Sequence, residues 1–153
     1  MKKEILFRGF HPDENGPQEI TLNGKKIRGL WVQGWYCGAT CDSFFAKARK
    51  SAQILDSELI WYEVIPETVG QYTGLTDQNR NRIFEDDVVD CWSEGVNAQG
   101  TVQQRQDGLW IIYPAWQKHI TWGLCPDEYS NTTVQVIGNI FSNPELIEGG
   151  EQE

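Results

Sequence analysis

The sequence predicts a mostly β fold, either a barrel or a sandwich. Short segments rich in β-branched and aromatic residues recur at close spacing, and Gly, Asp and Asn residues separate them. Seven Trp, six Phe and five Tyr indicate an aromatic core, because each buried ring removes roughly 150 to 250 Å² from water. A length of 153 residues suits one domain, or a compact barrel with an N-terminal extension.

The N-terminal third begins with extended segments. Residues 5–10 predict a first strand, and the composition of residues 11–17 predicts a loop. Residues 19–22 predict a short strand that turns at Asn23-Gly24, a strong hairpin signal. Residues 27–37 predict a longer strand, and apolar residues on both of its faces indicate burial on two sides or a contact surface.

Residues 39–50 predict a short helix or an irregular loop. Four neighbouring residues share one helical stripe, although the helix would have barely two turns: Phe44, Phe45, Ala48 and Ser51. Strand-forming residues return at Ile54-Leu55 and again over residues 59–65, with a turn near Asp56-Ser57 between them.

Residues 69–89 form the stretch around which the chain is organised. Gln71-Tyr72-Thr73 predicts a strand, and Gly74 can take the positive φ that ends its pairing. Residues 76–82 are rich in Asp and Asn, which favour turns. The next strand is expected to begin at Val88, after a corner of acidic residues.

The C-terminal half continues as strands. Residues 101–104, in which only Val102 is apolar, predict an exposed or edge strand. Asp107-Gly108 predicts a tight turn into residues 109–113, the most apolar run and the expected central strand.

The last long strand is predicted over residues 134–141. Asn143 as an N-cap and Pro144 as the first helical residue then predict one helical turn over residues 144–147. Residues 149–153 predict a frayed acidic tail.

Three separated motifs resemble the YopX protein family, which is found largely in phages and prophages. The opening Phe7-Arg8-Gly9-Phe10 is similar to the first strand of that family, and the central and closing segments are similar to its signature. The residues that carry the signature are Gln71, Tyr72, Gly74, Leu75, Asp77, Glu85, Asp87, Gly138, Asn139 and Pro144.

The resemblance implies a mostly β architecture with a small SH3-like β-barrel, and it implies no activity. We therefore expect residues 1–68 to form N-terminal strands that pack on the barrel, residues 69–148 to form the barrel, and residues 149–153 to fray. The family usually has Gly where Arg80 and Asp86 stand. At the first of these turns, Asn79 is expected to take the left-handed conformation instead.

Charge is distributed unevenly along the chain. The net charge is −9, with +4 over residues 1–53 and −13 over residues 54–153. An acidic surface repels phosphate backbones, which argues against nonspecific nucleic-acid binding and leaves a basic protein partner as an alternative to a solvated surface. The apolar run near the N-terminus is too short for a signal peptide or membrane span, so we expect a cytoplasmic protein with reduced cysteines.

The sequence offers few candidates for chemistry. A zinc site would need Cys37, Cys41, Cys91 and Cys125 together, but only the first two form a close pair, so small buried hydrophobes are the favoured interpretation. The two histidines, His11 and His119, are more typical of packing or hydrogen bonding than of catalysis.

The acidic corner is the remaining candidate. Glu85, Asp86, Asp87 and Asp90 could bind Mg²⁺ or Ca²⁺ or act as an acid/base pair, but they come from one short segment. We favour a structural role in which Asp87 accepts backbone N–H bonds and fixes the turn.

Aromatic residues provide a second kind of site. Trp110, Tyr113, Trp116 and Trp122 could stack on single-stranded nucleic acid, but the region has few basic residues, and core packing explains most of them better. Exposed tryptophans could instead form a protein interface. The candidates for this interface are Trp31, Trp35, Trp116 and Trp122.

These observations predict a non-enzymatic accessory protein of phage or prophage origin that acts by protein contact and needs no cofactor. Self-association is a further expectation. A nucleic-acid-associated barrel is the first alternative, and a metal-dependent or hydrolytic enzyme is the second.

Overall fold

The computed structural model describes residues 5–43, 46–93, 96–113 and 122–148. The chain separates into two compact units, Met1–Gln71 and Tyr72–Glu153. Strands dominate both units, so the predicted mostly β fold is confirmed. No helix in the described ranges is long and apolar enough to cross a membrane.

Unit one contains an antiparallel sheet whose longest strand is 19 residues. Its strands run in the order β5-β4-β3-β1, and β2 also pairs with β3. The start of the next strand, at Gly70 and Gln71, pairs with β1. The bounds are β1 Phe7–Pro12, β2 Gln18–Leu22, β3 Lys25–Ser43, β4 Ala46–Leu55 and β5 Trp61–Glu63, followed by a 3₁₀ turn at Pro66–Thr68.

The long strand β3 changes partners at two glycines. Gly29 pairs with both β1 and β2, and Gly34 is the last residue of β3 to pair with β1 before β4 takes over. A Cβ at Gly29 would lie 2.0 Å from the His11 carbonyl oxygen, and one at Gly34 would lie 1.9 Å from that of Leu55. Both positions therefore require glycine because a neighbouring backbone approaches too closely for a side chain.

One core cluster of unit one lies on a single face of this sheet. Val32, Ala52, Ile54 and Val64 are buried together, and Leu30 and Tyr62 are among the partly buried residues packed against them. Side chains alternate between faces along a strand, so the odd-numbered residues of β3 point to the opposite face.

Unit two combines a hairpin with a five-stranded sheet of order β11-β10-β9-β8-β12. The bounds are β6 Gly70–Thr76, β7 Arg82–Phe84, β8 Asp87–Ser93, β9 Val96–Gln104, β10 Trp110–Tyr113, β11 Trp122–Gly123, β12 Gln135–Asn139 and one helical turn, α1, at Glu145–Glu148. The core includes Ile83, Val89, Val102, Ile112 and Val134.

The predicted SH3-like barrel is not confirmed. The five-stranded sheet has two open edges, β11 and β12, and no ladder between described residues joins them. A closed barrel needs each strand to pair on both sides.

Three further local predictions are wrong. Residues 39–43 and 46–50 are strand rather than helix, since the pairing of β3 with β4 continues through Thr40 and Lys50. Residues 101–104 are not an edge, because β9 lies between β8 and β10. Gly74 has a φ of 84° but does not end its strand; it lies at a register shift within β6.

Candidate functional site

A row of large apolar side chains crosses three strands of unit one, with a half-buried leucine between two exposed tryptophans. Trp35 of β3 pairs with Leu55 of β4, which pairs with Trp61 of β5. Directly paired residues in antiparallel strands point to the same face, and this face is opposite to the one that buries Ile54. Trp35 is 56% exposed and Trp61 is 53% exposed. We call Trp35, Leu55 and Trp61 the tryptophan stripe.

The apolar surface continues into the turn before β5. Leu59 and Ile60 are both exposed and are the two residues before Trp61. Leu59 is 70% exposed, and its backbone has a left-handed φ of 64°. A left-handed conformation costs a residue other than glycine about 1 to 2 kcal/mol, so this large side chain is held at the surface at a cost to folding.

Hydrogen bonds to Asp56 hold this turn in place. Its Oδ1 accepts the N–H groups of Glu58 at 3.0 Å and Ile60 at 2.9 Å, and its carbonyl accepts the N–H of Leu59 at 3.0 Å. The conformation that exposes Leu59 is therefore built into the fold.

Acidic residues lie beside the stripe. Glu63 is two residues beyond Trp61 on β5, so the two side chains share a face. Glu58 lies in the adjoining turn. Both side chains are exposed, and neither forms an ion pair with a residue that the structure describes.

The predicted interface residues have different surroundings. Trp35 is exposed, whereas Trp31 is half-buried against the ring of Phe10 at 5.3 Å between centroids. Trp116 and the side chain of Trp122 lie outside the described residues. Trp61 was not among the predicted interface residues, because the pattern of residues 59–65 indicates a strand but not which of its faces is exposed.

Asp77 is the central residue of the family signature in unit two. Its buried carboxylate accepts four hydrogen bonds: Oδ1 from the N–H groups of Asn79 and Asn81, at 2.9 and 2.8 Å, and Oδ2 from Val136 N–H at 3.0 Å and Asn81 Nδ2 at 3.2 Å. Burial acts to raise the pKa of Asp77, but these bonds outweigh it and hold the pKa below its ordinary value of 3.8. The carboxylate thus fixes the β6–β7 turn and attaches it to β12.

The left-handed residue in this turn is Arg80, with a φ of 64°, rather than Asn79 as predicted. Asp86 at the acidic corner has a φ of 71°. Both are positions at which the resemblance calls for glycine, so the backbone keeps the conformation although the side chains differ.

The same turn recurs at three places. In each, an Asp carboxylate accepts the N–H groups two and four residues ahead, and the residue three ahead has a φ near 65°. The turns begin at Asp56, Asp77 and Asp127. In the first two turns the Asp lies five residues before the first residue of the next strand, and an Asp at this spacing favours a turn.

Asp87 has the structural role that the sequence predicts. It is buried, and its Oδ2 accepts the N–H of Phe84 at 2.8 Å. Glu85 and Asp86 are half-buried. Asp90 is half-buried too, and its buried Oδ1 has no hydrogen-bond partner within the described part of the chain.

The other signature residues around β6 also have structural surroundings. Tyr72 is buried against Phe84, with 5.5 Å between ring centroids, while Leu75 packs on the core of unit two. Gln71 pairs with Phe7 in unit one.

The closing signature folds back on itself. Asn139 is buried, and its Oδ1 accepts the N–H groups of Phe141 at 3.0 Å and Ser142 at 2.8 Å. A Cβ at Gly138 would lie 2.3 Å from Asn143 Oδ1, so only glycine fits there without rearrangement. Pro144 directly precedes α1.

The candidates for chemistry are dispersed or engaged in the fold. Nδ1–H of His11 donates to the Glu63 carbonyl at 2.7 Å, while His119 lies outside the described residues. Cys37 and Cys125 are exposed and Cys91 is buried. Burial, together with the Asp90 charge, raises the pKa of Cys91 to about 11. Within the described ranges, no three His, Cys, Asp or Glu residues are grouped so that they could hold a metal ion.

Comparison with known protein families confirms the resemblance that the sequence motifs indicate. No curated protein matches the sequence significantly. The family model described as "YopX protein" matches residues 7–148, nearly the whole chain. The chain therefore belongs to the YopX protein family.

Proposed function

We propose that this YopX family member is an accessory protein of phage or prophage origin that acts in the host cytoplasm as a non-enzymatic protein-binding module. The tryptophan stripe is its binding surface. The observation that carries the proposal is the exposure of Trp35 and Trp61 on one sheet face, on either side of Leu55. Tryptophan is enriched at interface hot spots because a large ring loses much water contact on binding.

The size of the exposed surface supports a binding role. If each tryptophan presents about 250 Å², the exposed parts of Trp35 and Trp61 amount to about 270 Å². Leu59 and Ile60 extend this area, which brings it into the range of about 300 to 600 Å² typical of the largest and often functional patch on a monomer.

Asp77, Asp87 and His11 use their polar atoms to bond backbone groups, which supports a non-enzymatic role. Asp77 and Asp87 use their carboxylates to hold backbone N–H groups, and His11 is bound to a backbone carbonyl. A thiol with a pKa near 11, as at Cys91, is almost wholly protonated at neutral pH and is a poor nucleophile.

Affinity capture from a host-cell lysate, with and without nuclease, tests the proposal. The bait is compared with a variant carrying Trp35→Thr and Trp61→Thr, because threonine keeps the strand preference while it removes both rings. The matched control is Tyr129→Ser, which removes a ring that is 72% exposed in unit two.

We expect a protein that is enriched by the wild type and by the Tyr129 variant, survives nuclease, and is lost with the double variant. Recovery that disappears with nuclease would favour the nucleic-acid alternative. Equal recovery by the double variant would contradict the assignment of the stripe.

A further inference from the structure

An arginine side chain of the protein itself packs on a tryptophan of this sheet face. The guanidinium of Arg8 lies 4.9 Å from the centroid of the Trp31 ring. Trp35 lies four residues beyond Trp31 on β3, so regular alternation places both rings on the same face. No described cation lies over Trp35 or Trp61, which remain more than half exposed.

The carboxylate of Glu63 lies close to the exposed ring of Trp61. Trp61 and Glu63 are two residues apart on β5, so their Cα atoms are about 7 Å apart along the strand. The His11 Nδ1–H bond to the Glu63 carbonyl fixes the backbone at this point. A planar guanidinium on the Trp61 ring would therefore be close enough to pair with the Glu63 carboxylate.

We infer that the partner bound by the tryptophan stripe presents an arginine, whose guanidinium stacks on Trp61 and pairs with Glu63. The aliphatic part of the same segment lies on Leu55 and Trp35. This inference rests on the proposed function and names the chemistry of the partner. Arginine suits the site better than lysine because its flat, weakly hydrated group stacks on a ring and bonds a carboxylate at the same time.

Charge distinguishes this partner from a second copy of the chain. In a symmetric dimer through the stripe, the same patch meets itself, so Glu58 and Glu63 of each copy would approach the acidic groups of the other. Like charges facing each other oppose association, whereas a basic segment complements them. A standard interface covers about 800 Å² on each partner, so the stripe would form its apolar centre and the acidic residues its rim.

Peptide titration monitored by the NMR signals of the tryptophan indole N–H groups tests this inference. The probe is a short unstructured peptide in which arginine and leucine alternate. Its companions carry lysine, glutamine or glutamate in place of arginine. The Trp35→Thr and Trp61→Thr variants assign the two signals, and the unchanged remaining indole signals show that each variant is folded.

We expect the arginine peptide to shift the Trp35 and Trp61 signals, and the lysine peptide to bind more weakly. Glu63→Gln should weaken binding of the arginine peptide about two- to fivefold at low salt, as for an exposed ion pair. The matched control, Glu19→Gln, removes an exposed carboxylate on β2 and should leave the affinity unchanged.

Three results would contradict the inference in different ways. If the glutamine peptide shifts both signals with equal affinity, the cation has no role, while the stripe remains a docking surface. If the arginine peptide moves neither signal, the inference is wrong, and the lysate capture decides the proposed function separately. Shifts that survive Glu63→Gln undiminished would also contradict the pairing with Glu63.

Discussion

Replacement of Asp77 with asparagine isolates the contribution of one buried charge to the fold. Asparagine has the same shape but only one side-chain oxygen. If that oxygen keeps the bonds from the backbone N–H groups of Asn79 and Asn81, the new amide group faces the N–H of Val136 and the side-chain amide of Asn81, and both donors lose their acceptor. The substitution therefore breaks the attachment of the turn to β12 while it preserves the turn.

The expected cost follows from the lost bonds. A buried donor without a partner costs about 1 to 3 kcal/mol, and bonds to an ionised acceptor are about twice as strong as neutral ones. We expect Asp77→Asn to lower the free energy of unfolding by about 2 to 3 kcal/mol. For a chain of this length, that corresponds to a fall of about 5 to 10 °C in Tm.

Urea unfolding and thermal melts at several pH values measure the effect. Because the pKa of Asp77 is lowered in the folded state, its stabilisation is complete above the ordinary value and is lost as pH falls through the lower, folded value. The difference between wild type and Asp77→Asn should therefore be full at pH 7 and should narrow below about pH 4. Glu19→Gln, at an exposed carboxylate on β2, is the control and should melt close to the wild type. Equal stability of Asp77→Asn and wild type at pH 7 would refute the reasoning.

Three other substitutions or treatments have defined outcomes. Arg80→Gly should raise the free energy of unfolding by about 0.5 to 1 kcal/mol, since relief of left-handed strain exceeds the cost of the entropy that glycine adds to the unfolded chain. The control is Arg80→Ala, which keeps the strain. An equal gain from Arg80→Ala would show that the arginine side chain, and not the backbone strain, is responsible. Asp87→Ala should lower Tm by several degrees because the buried Phe84 N–H loses its acceptor; an unchanged melt would disprove that role. A thiol reagent at neutral pH should modify Cys37 quickly and Cys91 only on unfolding, and fast labelling of Cys91 in the native protein would contradict its burial.

The backbone conformations of several turns were predictable, because each depends on residues that are close in sequence. Asn23 and Gly24 have φ values of 53° and 80°, which suit the predicted two-residue hairpin turn. Gly108 has a φ of 91° in the turn predicted before β10. The bond from Phe84 to Asp87 was also predictable, since the two residues are close in sequence.

Long-range pairing was less predictable. Residues 39–50 have a helical stripe in sequence, but pairing in the β3–β4 ladder determines the conformation of residues 39–43 and 46–50. The bond between Asp77 and β12 was not predictable, because its donor, the N–H of Val136, is 59 residues away in sequence. Sheet closure and the exposure of Trp61 depend on the arrangement of whole strands, which no local pattern specifies.

Photo-crosslinking in the host cell tests the central claim, that the tryptophan stripe is the binding surface, most directly. A photoreactive phenylalanine analogue replaces Trp61 in one variant and the exposed Tyr129 in another. We predict a discrete crosslinked protein from position 61 and none from position 129. Crosslinks from position 129 without any from position 61 would contradict the claim.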